Sequence, residues 1–414
     1  MLHDPTRHEA LQAIAWDEGR ARDLIECIVR DTEAHFSPTG FWPPHPRDID
    51  PGEDPNQPAM GLYYGACGVE WALQHLQALG AVKRSRSCIG DGDADSHGAF
   101  DRLLARNHAC LQAWGSHDHA SYLAGDTPIH LLAFGRAPTA ERADLLAALI
   151  AGNMDHPARE LYWGAPGTML AALFLHQRTG DERWATLFRA SAARLWSQLE
   201  WSAEHQCHFW TQDLYGRRST YLDGVHGFVA TASSLIRGRH LMDADTWAAW
   251  QACIANTIER TATWEGGKAN WRDLLDMPSG YAWKKLMQFC HGAPGFVVCL
   301  GDFPGTTLNP LLIAAGEAIW EAGPLAKGSN LCHGTSGNGY AFLKLFRRTG
   351  DPRWQDRARA FAMHAIVQME DDAQQYGQLR YALWTGDLGV AVYLWDCLHG
   401  SADFPTLDVF YPPT

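Results

Sequence analysis

Seven short glycine turns recur along the chain, and each runs directly into an apolar segment. Their first glycines lie at positions 65, 125, 164, 224, 292, 334 and 386. The turn at Gly125 lacks the second glycine that the other turns carry three positions later. The intervals run from 39 to 68 residues, which leaves room for two helices in each. The chain is therefore predicted to repeat one helical unit.

A second motif indicates that the whole unit is duplicated. Arg-Thr-Gly-Asp at 178–181 recurs at 348–351, an offset of 170 residues, and the glycine pair at 164 and 167 recurs with the same offset. In the second copy, Gly350 falls where a helix would end and Pro352 where the next would begin. Strand-like alternation is scarce, so the chain is predicted to be mostly helical.

These repeats predict a closed ring. Helical pairs that expose an apolar face need a neighbour on both sides, and ring closure removes the two unprotected ends. We predict an all-α fold, an α/α toroid of about seven helical hairpins, in a single domain that covers residues 1–414. The segments after the glycine turns are apolar nearly all round, so they should form the inner helices. The turns would then crowd around one end of the ring axis.

Two segments near the amino terminus carry separate predictions. Residues 1–35 have apolar positions at helical spacing and are predicted to be helical. Residues 36–60 are rich in Pro, Gly and Asp and are predicted to form an ordered loop.

Charge and hydropathy narrow the possible partners. The net charge of -13 argues against a general nucleic-acid surface, because nothing would neutralise the phosphates. The amino terminus shows no basic start followed by an apolar run, and no stretch of about 18 apolar residues occurs. We predict a cytoplasmic protein without a membrane span, whose partners are small molecules or peptides.

The cysteines fall into two groups. Ten cysteines in 414 residues are too dilute for a disulfide framework. Those in apolar helical patterns are predicted to be small buried hydrophobes, namely Cys27, Cys253, Cys299 and Cys397. Cys290 and Cys332 differ, because each begins a Cys-His-Gly triplet in a glycine turn.

The two triplets favour a zinc site. Cys290, Cys332 and His333 would supply three ligands and leave a fourth position open for water or substrate, the arrangement of catalytic zinc sites. Buried thiols would be the simpler interpretation of one isolated Cys-His pair, but two copies in matching turns favour metal. Adjacent residues on a tight turn rarely both ligate, so His291 is predicted to be an active-site group beside the metal.

The ligand set indicates the chemistry. Two thiolate ligands make the site nearly neutral, which suits activation of a bound thiol better than peptide hydrolysis, and the H-E-x-x-H motif is absent. The thiol would attack a carbon acceptor, and the resulting carbanion or enolate needs a proton. His226, in another glycine turn, is the predicted proton donor. Glu160 could orient a histidine or hold a substrate amine, and Lys327 could bind a carboxylate or phosphate; both could equally be ordinary solvated side chains.

The chain resembles the LanC-like family, the lanthipeptide cyclases and their stand-alone relatives. The most specific motifs are GVHG at 224–227, FCHGAPG at 289–295 and KGSNLCHGTSGNGYAFL at 327–343, and the glycine turns extend the resemblance over essentially the whole chain. The resemblance implies an α/α toroid, zinc held by Cys290, Cys332 and His333, and an acid/base role for His226. It also implies addition of a thiol to dehydroalanine or dehydrobutyrine to form a thioether.

Two residues depart from the bacterial cyclases. Those enzymes usually carry Tyr at the position of His291 and Asp at the position of Glu160, and both differences resemble the stand-alone branch. That branch is associated with glutathione, so addition of glutathione, or another thiol, to a dehydroamino acid in a peptide or protein is the first expectation. Intramolecular lanthionine cyclisation and a non-catalytic zinc- and glutathione-binding protein are the alternatives. Glycosidases and epimerases of α/α-barrel fold would need paired carboxylates and have no use for the Cys-His-Gly turns.

Overall fold

The computed structural model describes residues 1–49, 58–85, 88–89 and 96–412. Within them lie fourteen α-helices: α1 Glu18–Ala34, α2 Ala66–Ala78, α3 Ser96–Ala113, α4 Thr127–Arg136, α5 Ala140–Gly152, α6 Ala165–Thr179, α7 Glu182–Ser197, α8 Phe228–Arg237, α9 Ala244–Thr261, α10 Ala293–Leu300, α11 Asn309–Ala322, α12 Thr335–Thr349, α13 Pro352–Tyr376 and α14 Asp387–His399. Short antiparallel hairpins pair β1 Glu200–Ser202 with β2 Cys207–Phe209, β3 Gln212–Leu214 with β4 Arg217–Ser219, and β5 Ala262–Glu265 with β6 Lys268–Trp271. Residues 50–57 of the predicted ordered loop lie outside the described residues.

The even-numbered helices form an inner ring. Each follows one of the seven glycine turns and contacts the next even-numbered helix, and the ring closes where α14 packs against α2. These helices are buried on nearly every side; α6, for example, is buried from Ala165 to Leu175. The odd-numbered helices pack around them, as α7 does on α6 and α13 on α12 and α14. The predicted α/α toroid is confirmed.

The duplicated Thr-Gly-Asp motif makes the same turn twice. Gly180 ends α6 and Gly350 ends α12 in the left-handed conformation, with φ of 68° and 69°. This conformation strains residues that have a Cβ, so glycine is the residue that fits. Asp181 then accepts a hydrogen bond from the Arg183 backbone N–H and caps α7, and Asp351 caps α13 in the same way.

Main-chain hydrogen bonds join the glycine turns to one another at one end of the ring. The donor–acceptor residue pairs are Tyr63–Leu123, Leu123–Tyr162, Leu161–Val225, Cys290–Cys332, Leu331–Trp384 and Trp384–Tyr63, with N···O distances of 3.0–3.4 Å. The predicted crowding of the turns around the ring axis is therefore observed. That crowding brings residues as distant in sequence as Tyr63 and Cys332 into one site.

Three details of the sequence prediction were wrong. Residues 8–17 are not helical, because their backbone amides bond elsewhere: Glu9 N–H donates to Pro324 O, and Gln12 N–H donates to Nδ1 of His364. Cys27 is exposed on α1, whereas Cys253, Cys299 and Cys397 are buried as predicted. The β-hairpins were not foreseen, because strands of three or four residues are too short to show alternation.

No described helix has the length and apolar character that crossing a membrane requires.

We expect Gly68→Ala to destabilise the fold. A Cβ at Gly68 would lie 2.2 Å from Leu62 O and 2.9 Å from Leu383 Cβ, so the inner helix α2 would have to shift away from its neighbours. A cost of about 1–3 kcal/mol is expected for such overpacking. The measurement is the midpoint of thermal unfolding, compared with wild type at one scan rate.

The matched control for this prediction is Gly152→Ala, at the end of α5. A Cβ there meets no atom within 4 Å, so Ala should leave stability unchanged or raise it by about 0.4–1 kcal/mol. Equal midpoints for the Gly68 variant and wild type would contradict the packing argument.

Candidate metal centre

Cys290, Cys332 and His333 meet where two neighbouring glycine turns touch. Cys290 lies just before α10, and Cys332 and His333 lie just before α12. One potential ligand atom from each residue lies within 4.8 Å of the other two. Both cysteines are buried, and neither forms a disulfide. The Cys290 N–H donates to Cys332 O at 3.1 Å, which fixes the two turns relative to each other.

Hydrogen-bond donors are directed at both sulfur atoms. The Tyr63 hydroxyl donates to Cys332 Sγ at 2.7 Å, and Nε2 of Gln288 donates to Cys290 Sγ at 2.9 Å. Hydrogen bonds to an ionised acceptor are stronger than those to a neutral one, so these donors suit thiolates. In the protein alone, the hydrogen bond with Cys332 and burial raise the pKa of the Cys290 thiol above its ordinary value. Two buried sulfurs that accept hydrogen bonds, beside an imidazole, form a donor set that fits Zn²⁺.

His226 forms an ion pair with a buried carboxylate. Its Nδ1 lies 2.9 Å from Oε2 of Glu160, which is fully buried in the turn before α6. The Glu160 carboxylate also accepts hydrogen bonds from the backbone N–H groups of Tyr162, at 2.8 Å, and Trp163, at 2.6 Å. Burial would lower the pKa of His226, but the hydrogen bond and charge of Glu160 outweigh it and raise the pKa to about 9. His226 is thus held in its protonated form at neutral pH.

A second histidine–carboxylate pair joins His291 to Asp223. Nδ1 of His291 lies 2.8 Å from Oδ2 of the fully buried Asp223. Burial would lower the pKa of His291, but the charge of Asp223 raises it to about 9. The other oxygen of Asp223 accepts from the His226 N–H at 2.8 Å, so one carboxylate organises both histidine turns.

A cavity of about 1090 Å³ opens over these groups. Its wall includes Cys290, Cys332, His333, His226 and His291. Aromatic side chains form much of the remainder, including Trp42, Tyr64, Trp114, Tyr162, Trp163 and Tyr215. Among the described residues that line it there is no Lys or Arg, whereas Asp48, Asp118 and Asp213 do line it. The cavity therefore offers apolar contact and negative charge at its walls, with histidines at its base.

The structure brings together most of the residues that the sequence singled out, but not Lys327. The Lys327 side chain is exposed and does not line the cavity. Its carbonyl accepts a hydrogen bond from the Arg47 guanidinium, which holds the backbone on the outer side of the turn. The structure thus places Lys327 outside the cavity wall, and its predicted role as a positive charge at the site stays a prediction. Zinc binding and the roles of the other residues stay predictions.

Sequence reasoning missed Asp223, Tyr63 and Gln288. Asp223 comes directly before the Gly-Val-His-Gly motif and could have been considered as a partner for a histidine. Tyr63 and Gln288 gave no usable signal. Their role depends on which turn lies beside which, and only the tertiary structure shows that.

Comparison with known proteins agrees with an α/α toroid. The family described as lanthionine synthetase C-like protein matches residues 160–409, more than half of the chain. The chain belongs to this LanC-like family.

Two curated relatives match a shorter stretch. The LanC-like protein GCL1 of Arabidopsis thaliana is 36% identical over 135 residues, which are 30% of this chain and 31% of that protein. The glutathione S-transferase LANCL1 of Danio rerio is 35% identical over 136 residues, 30% of this chain and 32% of that protein. The matched segment thus spans about a third of each relative.

Among solved structures, nisin cyclase superposes with a TM-score of 0.53 at 14% sequence identity. The superposition covers 93% of this chain and 100% of that one. At this identity the likeness supports the fold alone.

We expect Glu160→Gln to lower the pKa of His226 from about 9 in the metal-free protein. The amide removes the negative charge that outweighs burial, so the imidazole should lose its proton at a lower pH. The ring can be followed by NMR of histidine-labelled protein, with the signal assigned from His226→Asn. Glu204→Gln, which alters an exposed carboxylate between β1 and β2, is the control and should leave the titration unchanged. An unchanged pKa in Glu160→Gln would contradict the charge argument.

We expect Cys332→Ala to lose about one equivalent of tightly bound zinc per chain. Removal of one of three protein ligands leaves too few donors to hold the ion. Cys299→Ala is the matched control, because Cys299 is buried in α10 but belongs to no metal-binding group among the described residues. Elemental analysis after gel filtration measures the difference, and equal zinc in both variants would rule out this ligand set.

Proposed function

We propose that the chain is an enzyme that adds a thiol to a dehydroalanine or dehydrobutyrine residue of a peptide or protein, and so forms a thioether. One observation carries the proposal: a single cavity contains both a cluster of two cysteines and a histidine, suited to zinc, and a histidine held protonated by a buried carboxylate. The first group suits the activation of sulfur, and the second suits the delivery of a proton. Addition of a thiol to a carbon–carbon double bond needs both.

The reaction divides between these groups. Zinc held by Cys290, Cys332 and His333 would lower the pKa of a substrate thiol at its open position. Sulfur forms a bond to Cβ of the dehydroamino acid, and the electron pair of the double bond moves to Cα and the adjacent carbonyl. His226 donates its proton to Cα. The thiol releases its own proton to solvent, and His226 later takes up one proton from solvent, so the protons balance.

The surrounding residues prepare the proton donor. Glu160 keeps His226 protonated and holds Nδ1, so that the other ring nitrogen can serve the substrate. His291, paired with Asp223, is a second positive group at the same wall and would stabilise the negative charge that develops on the carbonyl. The aromatic wall can pack against the acceptor chain and exclude water around the reacting atoms.

The identity of the thiol separates two versions of the proposal. Glutathione is supported by the relative named glutathione S-transferase LANCL1, with which this chain shares about a third of its length. The other version uses a cysteine of the acceptor peptide itself, which would make the enzyme a lanthionine cyclase. The composition of the cavity wall supports this version. The described lining residues offer no Lys or Arg to the two carboxylates of glutathione. A cytoplasmic location stays a prediction.

We expect the purified, zinc-loaded protein to modify a peptide that contains dehydroalanine. With a cysteine-free peptide and glutathione, the product gains the mass of one glutathione. With a peptide that contains both cysteine and dehydroalanine, the mass is unchanged and the product loses its alkylatable thiol. His226→Asn should slow whichever reaction occurs by about 10²–10⁴-fold, the usual contribution of a general acid.

The matched control is His208→Asn, because His208 lies on β2 and does not line the cavity. This variant should react at the wild-type rate. If neither peptide reacts, the enzymatic proposal fails. Binding of glutathione without reaction would then favour the non-catalytic zinc- and glutathione-binding alternative.

A further inference from the structure

Two histidines and an aspartate form a second group of potential metal ligands, separate from the candidate metal centre. His108 lies on α3, His119 lies in the segment after it, and Asp126 precedes α4. One donor atom from each lies within 4.8 Å of the other two. Nε2 of His108 is 2.6 Å, and Nδ1 of His119 is 3.2 Å, from the same oxygen of Asp126, Oδ2.

The carboxylate of Asp126 is buried, at 6% exposure, and no Lys or Arg among the described residues forms an ion pair with it. Among the described residues its ion-pair partners are these two histidines, which are neutral unless protonated. Asn107 Nδ2 donates to Oδ1 at 2.9 Å, which fixes the carboxylate and leaves Oδ2 directed at the histidines. Burial of a charge is costly unless it is paired or coordinates a metal. A cation between the three donors would satisfy this carboxylate.

A third imidazole lies close by. His130 follows Asp126 by four residues, which is one turn along α4, so the two share a helix face. It is only 8% exposed, and its Nδ1 has no hydrogen-bond partner within the described parts of the chain. A buried polar atom without a partner is unfavourable, so the helix that follows Asp126 carries an unsatisfied imidazole nitrogen.

The chain between the two exposed histidines forms part of the cavity wall. Cys110, Ala113, Trp114, Ser116, His117 and Asp118 all line the cavity. His108 stands just before this segment and His119 just after it. The histidines at both ends of the segment thus contact Asp126, which lies at the start of the inner helix α4.

We propose that His108, His119 and Asp126 bind a divalent transition-metal ion, and that this ion anchors residues 109–118 as a wall of the cavity. Imidazole and carboxylate ligands suit Zn²⁺ and neighbouring first-row ions. Zinc takes such ligands at about 2.0–2.2 Å, so two donors on one ion lie farther apart than the 2.6 Å between Nε2 of His108 and Oδ2 of Asp126, and the exposed ring of His108 would move outward to admit the ion. The site positions the wall and takes no part in the chemistry of the thiol.

The test compares metal content in the full chain. Wild type and His108→Gln/His119→Gln are stripped with a chelator, saturated with zinc sulfate, passed over gel filtration and analysed for zinc. The variant should hold about one equivalent less than wild type, whatever amount the cysteine-containing centre contributes. The matched control is His35→Gln/His205→Gln, which alters two histidines that each pair with one aspartate and lack a second histidine. This control should keep the wild-type content.

Two further measurements make the result decisive. Cobalt chloride bound at this site should give d–d absorption without a thiolate-to-cobalt charge-transfer band, and this component should disappear in His108→Gln/His119→Gln. Zinc should also slow chymotrypsin cleavage after Trp114, which is 44% exposed, in wild type and in the control but not in the variant. Equal zinc content in wild type and variant would overturn the proposal.

Discussion

Main-chain hydrogen bonds between neighbouring glycine turns are the interaction on which the rest of this structure depends. Side chains at such positions would collide with the backbone of the adjacent turn; a Cβ on Gly224, for example, would lie 2.5 Å from Phe289 O of the next turn. Glycine therefore permits a close approach, and among the described residues main-chain hydrogen bonds join every neighbouring pair of turns around the ring axis except those at Gly224 and Gly292. Because the turns hold one another, the residues that they carry are fixed without support from a sheet or a ligand.

The electrostatics of the candidate metal centre follow from this crowding. Turns that belong to different helical pairs place two thiols, three imidazoles and two buried carboxylates at one end of the ring. Each carboxylate pairs with one histidine, and the pairing raises the pKa of His226 and of His291, so both histidines keep their protons. The two sulfurs accept hydrogen bonds from the neutral side chains of Tyr63 and Gln288. One side of the cavity base thus carries two protonated histidines, and the other side carries two sulfurs that would bind a cation.

Much of this arrangement could be predicted, because repetition in the sequence carries information about distant contacts. The seven glycine turns predicted the ring and the identity of its inner helices, and the paired Cys-His-Gly triplets predicted which residues would meet. Lys327 shows the limit of the method. It stands in the same motif as Cys332, only five residues earlier, but its side chain is exposed and does not line the cavity. Residues 8–17 show another limit, since their apolar spacing suited a helix but the amides of Glu9 and Gln12 bond to Pro324 and His364, which are distant in sequence.

The sequence by itself determined the helical repeat, the closed ring and the group of residues directed at its centre, because glycine position and apolar periodicity act locally and recur. Only the tertiary structure decided the partners of those residues: Asp223 for His291, Glu160 for His226, and Tyr63 for Cys332. It also decided that His108, His119 and Asp126 converge. These pairings join separate turns and helices, and no local pattern specifies the distance or direction between side chains on different elements.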